Sequence, residues 1–321
     1  MRPARQRRRL WGLASGTALA VTLVALVAPQ APAAADSASP TEGTFRRPFP
    51  QASWLYDPIP AGPALDPDSA AMVASLREGQ HVANLHEFGI PFRAADAATT
   101  RYRVDCTKPW GTCDLEAGRR RLDGTMRPHS GSDRAMVVVD TVDRVTDEYW
   151  RYSWNDGEPR TAWGGVGALD GDGLGVNATG ALISRAAGVV RAFEVRQGRI
   201  DHALVFSTRH CGKAYRHPAG KSDGGATGPG AVPEGARIQL RRSLDPGDYR
   251  LSKAERAVFV ALQRYGAYAV DCGGASAAFS FQDVAGDPGA VYSDAGLAWD
   301  YFDLEAIPWN RVRVLRAWDG S

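Results

Sequence analysis

The sequence predicts a mostly β protein, an antiparallel β-sandwich of the jelly-roll kind with a few packed helices. Three observations predict this class. Short runs of large apolar and aromatic residues have a period of two, clusters of Gly, Asp and Pro separate them, and only two stretches have helical spacing. With 35 Gly and 20 Pro, the chain also has the turn-rich composition that a sandwich needs.

The two helical stretches differ in how fully they are specified. Residues 66–78 place apolar residues three and four apart and stop at Gly79. In the second stretch Ser252 and Glu255 form a capping box, in which a hydroxyl and a carboxylate bind free amides of the first turn. An apolar face then continues to Tyr265, so we expect this helix to pack on the sheets.

Nine runs are predicted to be strands. They are 89–93, 101–105, 135–140, 148–154, 203–207, 236–240, 267–271, 277–281 and 311–315. The run at 203–207 is apolar until its last residue and predicts a buried strand. The run at 236–240 alternates and predicts a half-exposed one.

The N-terminus predicts a secretory signal peptide over residues 1–35. Five arginines precede an apolar stretch at 10–27, and small residues then offer A-x-A cleavage patterns at 31–33 and 33–35. A retained membrane anchor is disfavoured, because small and polar residues dilute the apolar stretch below what a span needs. We therefore predict a secreted, extracellular protein, and export by the general or the twin-arginine route stays open.

After the signal peptide, residues 36–62 predict an extended lead-in and residues 63–321 a single domain. An aromatic run at 54–56 offers a point where the lead-in docks. Removing the five signal-peptide arginines leaves 33 basic and 36 acidic residues, a net charge of −3. A mildly acidic chain lacks the basic footprint for nucleic acid, and no later stretch is apolar for long enough to enter a bilayer. Neither nucleic acid nor membrane is an expected partner.

Four cysteines predict disulfides in an exported chain. Three pairings are conceivable. The turn-forming residues between Cys106 and Cys113 favour a bridge between those two, which leaves Cys211 for Cys272. A zinc site is the alternative, since three histidines lie near Cys211, but no C-x-x-C pair supports it.

No nucleotide-binding, serine-hydrolase or metalloprotease motif occurs in its required context. We therefore expect no cofactor and no catalytic metal. The Gly-Asp-Gly run at 171–173, with Asp170, Asp172 and Asn177 around it, leaves a structural calcium ion open. It lacks the closing glutamate of an EF-hand, so an ordinary acidic turn is favoured.

A dense polar segment, residues 201–225, predicts the active site. Asp201 and Asp223 are the first candidate carboxylates, because cleavage of a glycosidic bond uses one carboxyl group as acid and another as base or nucleophile. His202 is a candidate proton carrier. Asp201 and His202 are neighbours at a strand entrance and so point to opposite faces. An ordinary role as turn cap or strand end is the alternative for each residue.

Asp271 is the third candidate carboxylate, with Tyr268 as a proton-transfer or positioning group. Asp271 ends a predicted strand before a Cys-Gly-Gly turn, where the backbone permits close approach. The predicted bridge from Cys211 to Cys272 brings Asp271 near the polar segment. A different pairing would remove that inference.

The candidate substrate-binding residues are basic or aromatic. They are His210, Arg216, His217, Lys221 and Trp299. Cationic side chains suit acidic sugars, and an indole face stacks on the C–H face of a pyranose, although tryptophans also dominate protein cores.

Four segments carry a resemblance to a known group. Residues 200–206, 221–224, 233–240 and 261–268 together resemble a group of secreted proteins common in actinomycetes, over residues 45–317. The resemblance implies an extracellular role and carries over no catalytic residue. Members often occur beside polysaccharide-degrading systems, which favours carbohydrate chemistry.

A secreted glycoside hydrolase acting on a polysaccharide or oligosaccharide is the leading prediction. A polysaccharide lyase is the nearest chemical alternative, with Tyr268 or a histidine as base and the basic residues neutralising a uronate. A non-catalytic binder of glycan or cell wall and a structural surface protein are the remaining classes, since sandwiches host all of them.

Overall fold

A computed structural model describes residues 44–318, and all of these belong to one compact unit. The predicted signal peptide and the start of the lead-in lie outside the described residues. Within residues 44–318, no helix is long and apolar enough to cross a membrane.

Three α-helices and nineteen strands make up the regular structure of the described residues. The helices are α1 (Ser69–Leu76), α2 (Ala192–Gln197) and α3 (Lys253–Arg264). The strands are β1 (His81–Asn84), β2 (Ile90–Ala95), β3 (Arg101–Tyr102), β4 (Asp105–Cys106), β5 (Arg120–Arg121), β6 (Met136–Asp140), β7 (Val145–Trp150), β8 (Ser153–Asn155), β9 (Glu158–Thr161), β10 (Trp163–Ala168), β11 (Leu204–Thr208), β12 (Cys211–Tyr215), β13 (Val232–Glu234), β14 (Arg237–Leu240), β15 (Ala267–Cys272), β16 (Ala277–Ser280), β17 (Gln282–Asp283), β18 (Phe302–Asp303) and β19 (Val312–Val314).

Two large sheets and three small ones organise these strands. The large sheet has the order β18-β1-β16-β11-β15-β14-β19, and the second has the order β10-β7-β6-β2-β17. The mostly β prediction is confirmed. The predicted antiparallel pairing holds for only part of each sheet. Strand β6 is antiparallel to β7 and β11 to β16, but β11 runs parallel to β15 and β2 runs parallel to β6, so both sheets are mixed. A period of two shows that a run is a strand, but it does not show the direction of its neighbour.

The large sheet separates two cores. Successive side chains of a strand point to opposite faces. Leu204 and Phe206 of β11 therefore lie in the core that includes the apolar face of α3, and Val205 packs with Val137 and Val139 of the second sheet. Each such fully buried side chain contributes roughly 1.5–3 kcal/mol to the free energy of unfolding.

Helix α3 begins and ends where its sequence predicts. Ser252 Oγ accepts a hydrogen bond from the Glu255 amide at 3.2 Å, and Glu255 Oε2 accepts one from the Ser252 amide at 2.9 Å. The chain then reverses at Gly266, whose φ is +73°. A Cβ atom at Gly266 would lie 2.3 Å from the Ile238 carbonyl oxygen, so the turn into β15 requires glycine.

The lead-in docks through its aromatic run. Trp54 is buried and packs edge-on against Tyr268, with ring centroids 4.7 Å apart. Its indole Nε1 donates to the Asp172 carbonyl oxygen at 3.0 Å, and the Ala203 amide donates to the Leu55 carbonyl oxygen at 2.7 Å. The lead-in therefore forms part of the core that contains β11 and β15.

Local expectations differ from the structure in four places. The predicted strand 101–105 divides into β3 and β4, which belong to different sheets. The predicted strand 148–154 breaks at Arg151, whose φ is +57°. Strand β14 is buried at its last three residues instead of half exposed, because it lies between β15 and β19. Helix α2 was not predicted, since its six residues are too few to show a helical period.

Both predicted disulfides are confirmed. Cys106 pairs with Cys113, and Cys211 pairs with Cys272. The described residues contain no free cysteine, so the alternative of a cysteine-ligated zinc ion does not apply.

Candidate functional site

A cavity of about 450 Å³ lies against the face of the large sheet that points away from α3. Alternate residues of three neighbouring strands line it, among them Asn84 on β1, Ser280 on β16 and Ser207 on β11. The facing wall comes from the loop before β6 and from residues 179–187. The cavity is therefore enclosed by parts of the chain that lie far apart in the sequence.

Three consecutive residues of β15, Val270, Asp271 and Cys272, line this cavity. A regular strand would point one of them away. The register with β11 shifts here, since Phe206 pairs with Ala269 but Ser207 pairs with Asp271. This bulge re-aims the strand, as bulges beside functional sites often do, and places a carboxyl group in the cavity wall.

Asp271 has an unusual electrostatic environment. Burial, with a smaller contribution from the Asp223 and Asp133 carboxylates, raises the pKa of its carboxyl group to about 6, although the nearby Arg185 guanidinium counteracts the shift. The backbone amide of Cys272 donates to Asp271 Oδ1 at 3.1 Å.

Asp133 supplies a second carboxyl group to the same cavity. The indole Nε1 of Trp150 donates to Asp133 Oδ1 at 3.0 Å, and the Arg151 amide donates to the Asp133 carbonyl oxygen at 2.6 Å. These two contacts fix the Asp133 side chain and backbone relative to the end of β7.

His129 is a buried histidine in the cavity wall. Burial and the charge of Arg185 lower its pKa to about 4, so the ring is neutral at neutral pH. Nδ1 has no hydrogen-bond partner among the described residues. His129 therefore holds a free lone pair or a free N–H group, depending on its tautomer.

A buried glutamate holds Arg185 in place. Glu148 Oε2 accepts from the Arg185 amide at 2.5 Å, and Glu148 Oε1 accepts from the hydroxyls of Thr146 (2.7 Å) and Ser184. The Arg185 guanidinium donates to the Ala178 carbonyl oxygen, while its Nε has no partner in the described part of the chain. The 179–187 wall is thus tied to β7 by one carboxylate.

Asp271 also belongs to a cluster of three carboxyl groups. Oxygens of Asp223, Glu234 and Asp271 all lie within 4.8 Å of one another. Burial, followed by the hydrogen bond and charge of the neighbouring Asp223 carboxyl group, raises the pKa of Glu234 to about 9. The Cys211–Cys272 bridge joins the strand that leads to Asp223 with the strand that carries Asp271, as the predicted pairing implied.

Two other predicted residues, Asp201 and His202, lie outside the cavity wall. Asp201 is an exposed ion-pair partner, 2.5 Å from Arg199 Nε and 4.0 Å from Arg264. His202 is buried, with Nε2 3.1 Å from Glu194 Oε2 and Nδ1 2.8 Å from the Ala203 carbonyl oxygen. Both ring nitrogens face acceptors, so the contacts suit a structural imidazolium.

Tyr268 and His210 are likewise absent from the cavity lining. Tyr268 lies in the core between Trp54 and the guanidinium of Arg237, and burial raises its pKa to about 12. His210 accepts from Arg209 Nε at 3.2 Å, and partial burial together with Arg209 lowers its pKa.

The remaining candidates for substrate binding are scattered. Arg216 pairs with Asp66 and donates to the Leu315 carbonyl oxygen at 2.9 Å. His217 packs edge-on against Trp318 at 4.6 Å, and Trp299 is 59% exposed beside Phe302. Lys221 lies near the carboxyl cluster and donates from Nζ to Asn177 Oδ1 at 2.8 Å.

The Gly-Asp-Gly turn shows ordinary turn contacts. Asp172 Oδ1 accepts from the Leu174 amide at 2.9 Å, and Asn177 is engaged by Lys221. Among the described residues, neither Asp170 nor Asp172 belongs to a group of side chains that converges on one point as metal ligands would.

Sequence reasoning missed four residues of this region: His129, Asp133, Arg185 and Glu234. His129 and Asp133 lie in a polar loop, 128–133, whose mixture of Ser, Gly and ionisable residues was a usable signal. Glu234 ends a three-residue strand and Arg185 lies in an irregular segment. Nothing local marks either of these two residues as buried.

No known protein family, no curated protein and no solved structure matches this chain. The resemblance to secreted actinomycete proteins therefore stays a prediction, and the function is argued from the site.

Proposed function

We propose that this protein is a secreted carbohydrate-active enzyme, a glycoside hydrolase whose polysaccharide or oligosaccharide substrate binds in the 450 Å³ cavity. One observation carries the proposal. Asp133 and Asp271 come from separate parts of the fold and line the same polar cavity. Two carboxyl groups beside one substrate are what hydrolysis of a glycosidic bond needs.

The two carboxyl groups divide two roles between them. One donates its proton to the glycosidic oxygen as the bond to the leaving sugar breaks, and the other acts as base or nucleophile at the anomeric carbon. Burial raises the pKa of Asp271 to about 6 although the Arg185 guanidinium counteracts the shift, so Asp271 carries a proton at a higher pH than an ordinary aspartate does. The new bond at the anomeric carbon comes from water or from the carboxylate that acts as nucleophile.

The rest of the lining suits a hydroxyl-rich ring. Gln80, Asn84 and Ser207 offer hydrogen-bonding groups, while Phe88 and Tyr301 offer aromatic surface. Secretion, which the N-terminal sequence predicts, agrees with two disulfides in a chain of this size.

A reducing-end assay against plant, fungal and bacterial glycans tests the proposal. We expect activity in the wild type and a loss of about 10²-fold or more in Asp133→Asn and Asp271→Asn. Asp201→Asn, which removes an exposed carboxylate outside the cavity, is the matched control and should stay active. Full activity in either cavity variant contradicts the proposed pair.

A polysaccharide lyase is the second candidate, and His129 favours it. A neutral histidine beside Arg185 matches an elimination in which the base takes the proton next to a uronate carboxylate and the guanidinium neutralises that carboxylate. Elimination leaves a carbon–carbon double bond, so the products absorb in the ultraviolet. Absorbance that disappears in His129→Gln would replace the hydrolase by the lyase. If neither new reducing ends nor ultraviolet absorbance appear, and the protein is retained on an insoluble glycan, it is a glycan binder.

A further inference from the structure

In the part of the chain that the structure describes, no cationic side chain is in direct contact with the carboxyl cluster of Asp223, Glu234 and Asp271. Within residues 44–318, no lysine, arginine or histidine forms an ion pair with any of the three. The nearby cations have other partners, because Lys221 donates to Asn177 and Arg185 donates to the Ala178 carbonyl oxygen. Several carboxylates that meet without a cation repel one another strongly.

Glu234 is the most deeply buried of the three residues. Its side chain is fully buried, and among the described residues no group other than the neighbouring Asp223 carboxyl group lies within hydrogen-bond reach of its oxygens. A buried carboxyl group without a cationic partner either keeps its proton or coordinates a metal ion, because the unpaired carboxylate costs several kcal/mol. Both Glu234 oxygens are therefore open to a cation that takes the place of the proton between the three residues.

The backbone holds the three carboxyl groups in place. Ser222 Oγ donates to the Gly212 carbonyl oxygen at 2.7 Å and accepts from the Gly224 amide at 3.0 Å, which closes the turn that carries Asp223. A Cβ atom on Gly180 would lie 2.5 Å from Asp223 Oδ1 and 2.7 Å from Glu234 Oε1, so the backbone at Gly180 covers the cluster directly. A site fixed in this way needs little rearrangement to bind an ion.

We propose that Asp223, Glu234 and Asp271 bind a divalent cation of the oxygen-preferring class, Ca²⁺. Carboxylate oxygens without nitrogen or free sulfur select hard cations over zinc. Oxygens within 4.8 Å of one another fit around one Ca²⁺, whose bonds of about 2.3–2.6 Å place opposite ligands about 5 Å apart. The calcium site shares Asp271 with the proposed catalytic pair, but calcium binding does not depend on glycan hydrolysis.

Calcium binding to the chelator-treated, full secreted protein tests this site. Isothermal calorimetry and thermal unfolding are measured with CaCl₂, with MgCl₂ and with EDTA. We expect one Ca²⁺ per chain, with a dissociation constant of about 10⁻⁴–10⁻³ M as in extracellular modules, and a higher melting temperature with calcium than with EDTA. Glu234→Gln and Asp223→Asn should each weaken calcium binding roughly tenfold or more. Asp201→Asn should bind like the wild type.

Two results would overturn the site. One is a wild type that binds no calcium and melts at the same temperature with calcium and with EDTA. The other is calcium binding that Glu234→Gln leaves unchanged, which would show that the ion binds at a different site. If Glu234→Gln does not fold, the site is still tested by the wild type with calcium and with EDTA, and by calcium binding to Asp223→Asn. Glycan hydrolysis is measured separately, so calcium binding without hydrolysis refutes only the enzyme, and hydrolysis without calcium binding refutes only the ion.

Discussion

Trp150 Nε1 donates a 3.0 Å hydrogen bond to Asp133 Oδ1, and this bond orients one of the two carboxyl groups proposed to be catalytic. The Trp150 ring stacks against Trp110, with centroids 5.6 Å apart and planes 27° apart, and the guanidinium of Arg151 lies over it. These contacts restrict the orientation of the indole, and the hydrogen bond passes that restriction on to the Asp133 carboxyl group.

Trp150→Phe should lower kcat while leaving KM nearly unchanged. The phenyl ring retains much of the stacking but cannot donate to Asp133, and a misplaced catalytic group costs about 10²-fold at most. Kinetics on the glycan found in the screen, with circular dichroism to verify folding, measure this. Trp299→Phe, at an exposed tryptophan outside the cavity, is the control. An unchanged kcat in Trp150→Phe would show that the bond does not position Asp133.

The His202–Glu194 pair should make stability depend on pH. Burial by itself disfavours the imidazolium, but the Glu194 charge and hydrogen bond outweigh it, so the pKa of His202 is raised. The pair's contribution is therefore fully present below about pH 6.5, the unfolded value, and is lost as pH rises through the higher folded pKa.

Urea unfolding of Glu194→Gln at several pH values measures that contribution. We expect a cost of about 1–3 kcal/mol at about pH 6 and a smaller one at high pH. Asp201→Asn removes a smaller electrostatic contribution to the raised pKa of His202, so it should shift the pH profile less than Glu194→Gln does. A cost in Glu194→Gln that grows with pH would contradict the assigned charges.

The two disulfides should contribute unequally to stability. Cys211 and Cys272 are 61 residues apart, whereas Cys106 and Cys113 are seven apart. Loop-closure entropy predicts about 4 kcal/mol for the long loop and about 2.5 kcal/mol for the short one. Denaturant unfolding of the two double Cys→Ala variants measures the difference. Equal losses, or a larger loss for the short loop, would show that unfolded-chain entropy does not dominate.

Gly180→Ala should destabilise the protein by about 1–3 kcal/mol, because the added methyl group would overlap carboxylate oxygens of Asp223 and Glu234. Gly225→Ala is the matched control, since a Cβ atom there has no neighbour within 4 Å although the residue lies only two positions after Asp223. Thermal unfolding of both variants compares them. If Gly180→Ala is as stable as Gly225→Ala, the side chains of Asp223 and Glu234 accommodate the added methyl group without a loss of stability.

Part of the site was predictable from the sequence. Asp223 and Asp271 are 48 positions apart, yet the four-cysteine pattern placed them together, because one bridge between Cys211 and Cys272 leaves little freedom to the residues beside it. Asp201 was predicted from its position in the polar segment 201–225, without support from the cysteine pattern, and it does not lie with them. Membership of a polar segment does not determine which face of the sheet a side chain joins.

The sequence by itself determined the features that depend on neighbours along the chain. These are the strand-rich class, the capped helix α3, the turn at Gly266 and, through the cysteine spacing, the two bridges. Such features follow from backbone sterics, side-chain period and local hydrogen bonds, all of which act over a few residues.

Only the tertiary structure decided the direction of β11 against β15, the bulge that turns Asp271 into the cavity, and the meeting of Asp133 with Asp271. The physical reason is that strand partners, burial and charge environment depend on residues far apart in sequence. Glu234 shows this most plainly, because its carboxyl group differs from that of an ordinary surface glutamate only once Asp223, Asp271 and the Gly180 backbone surround it.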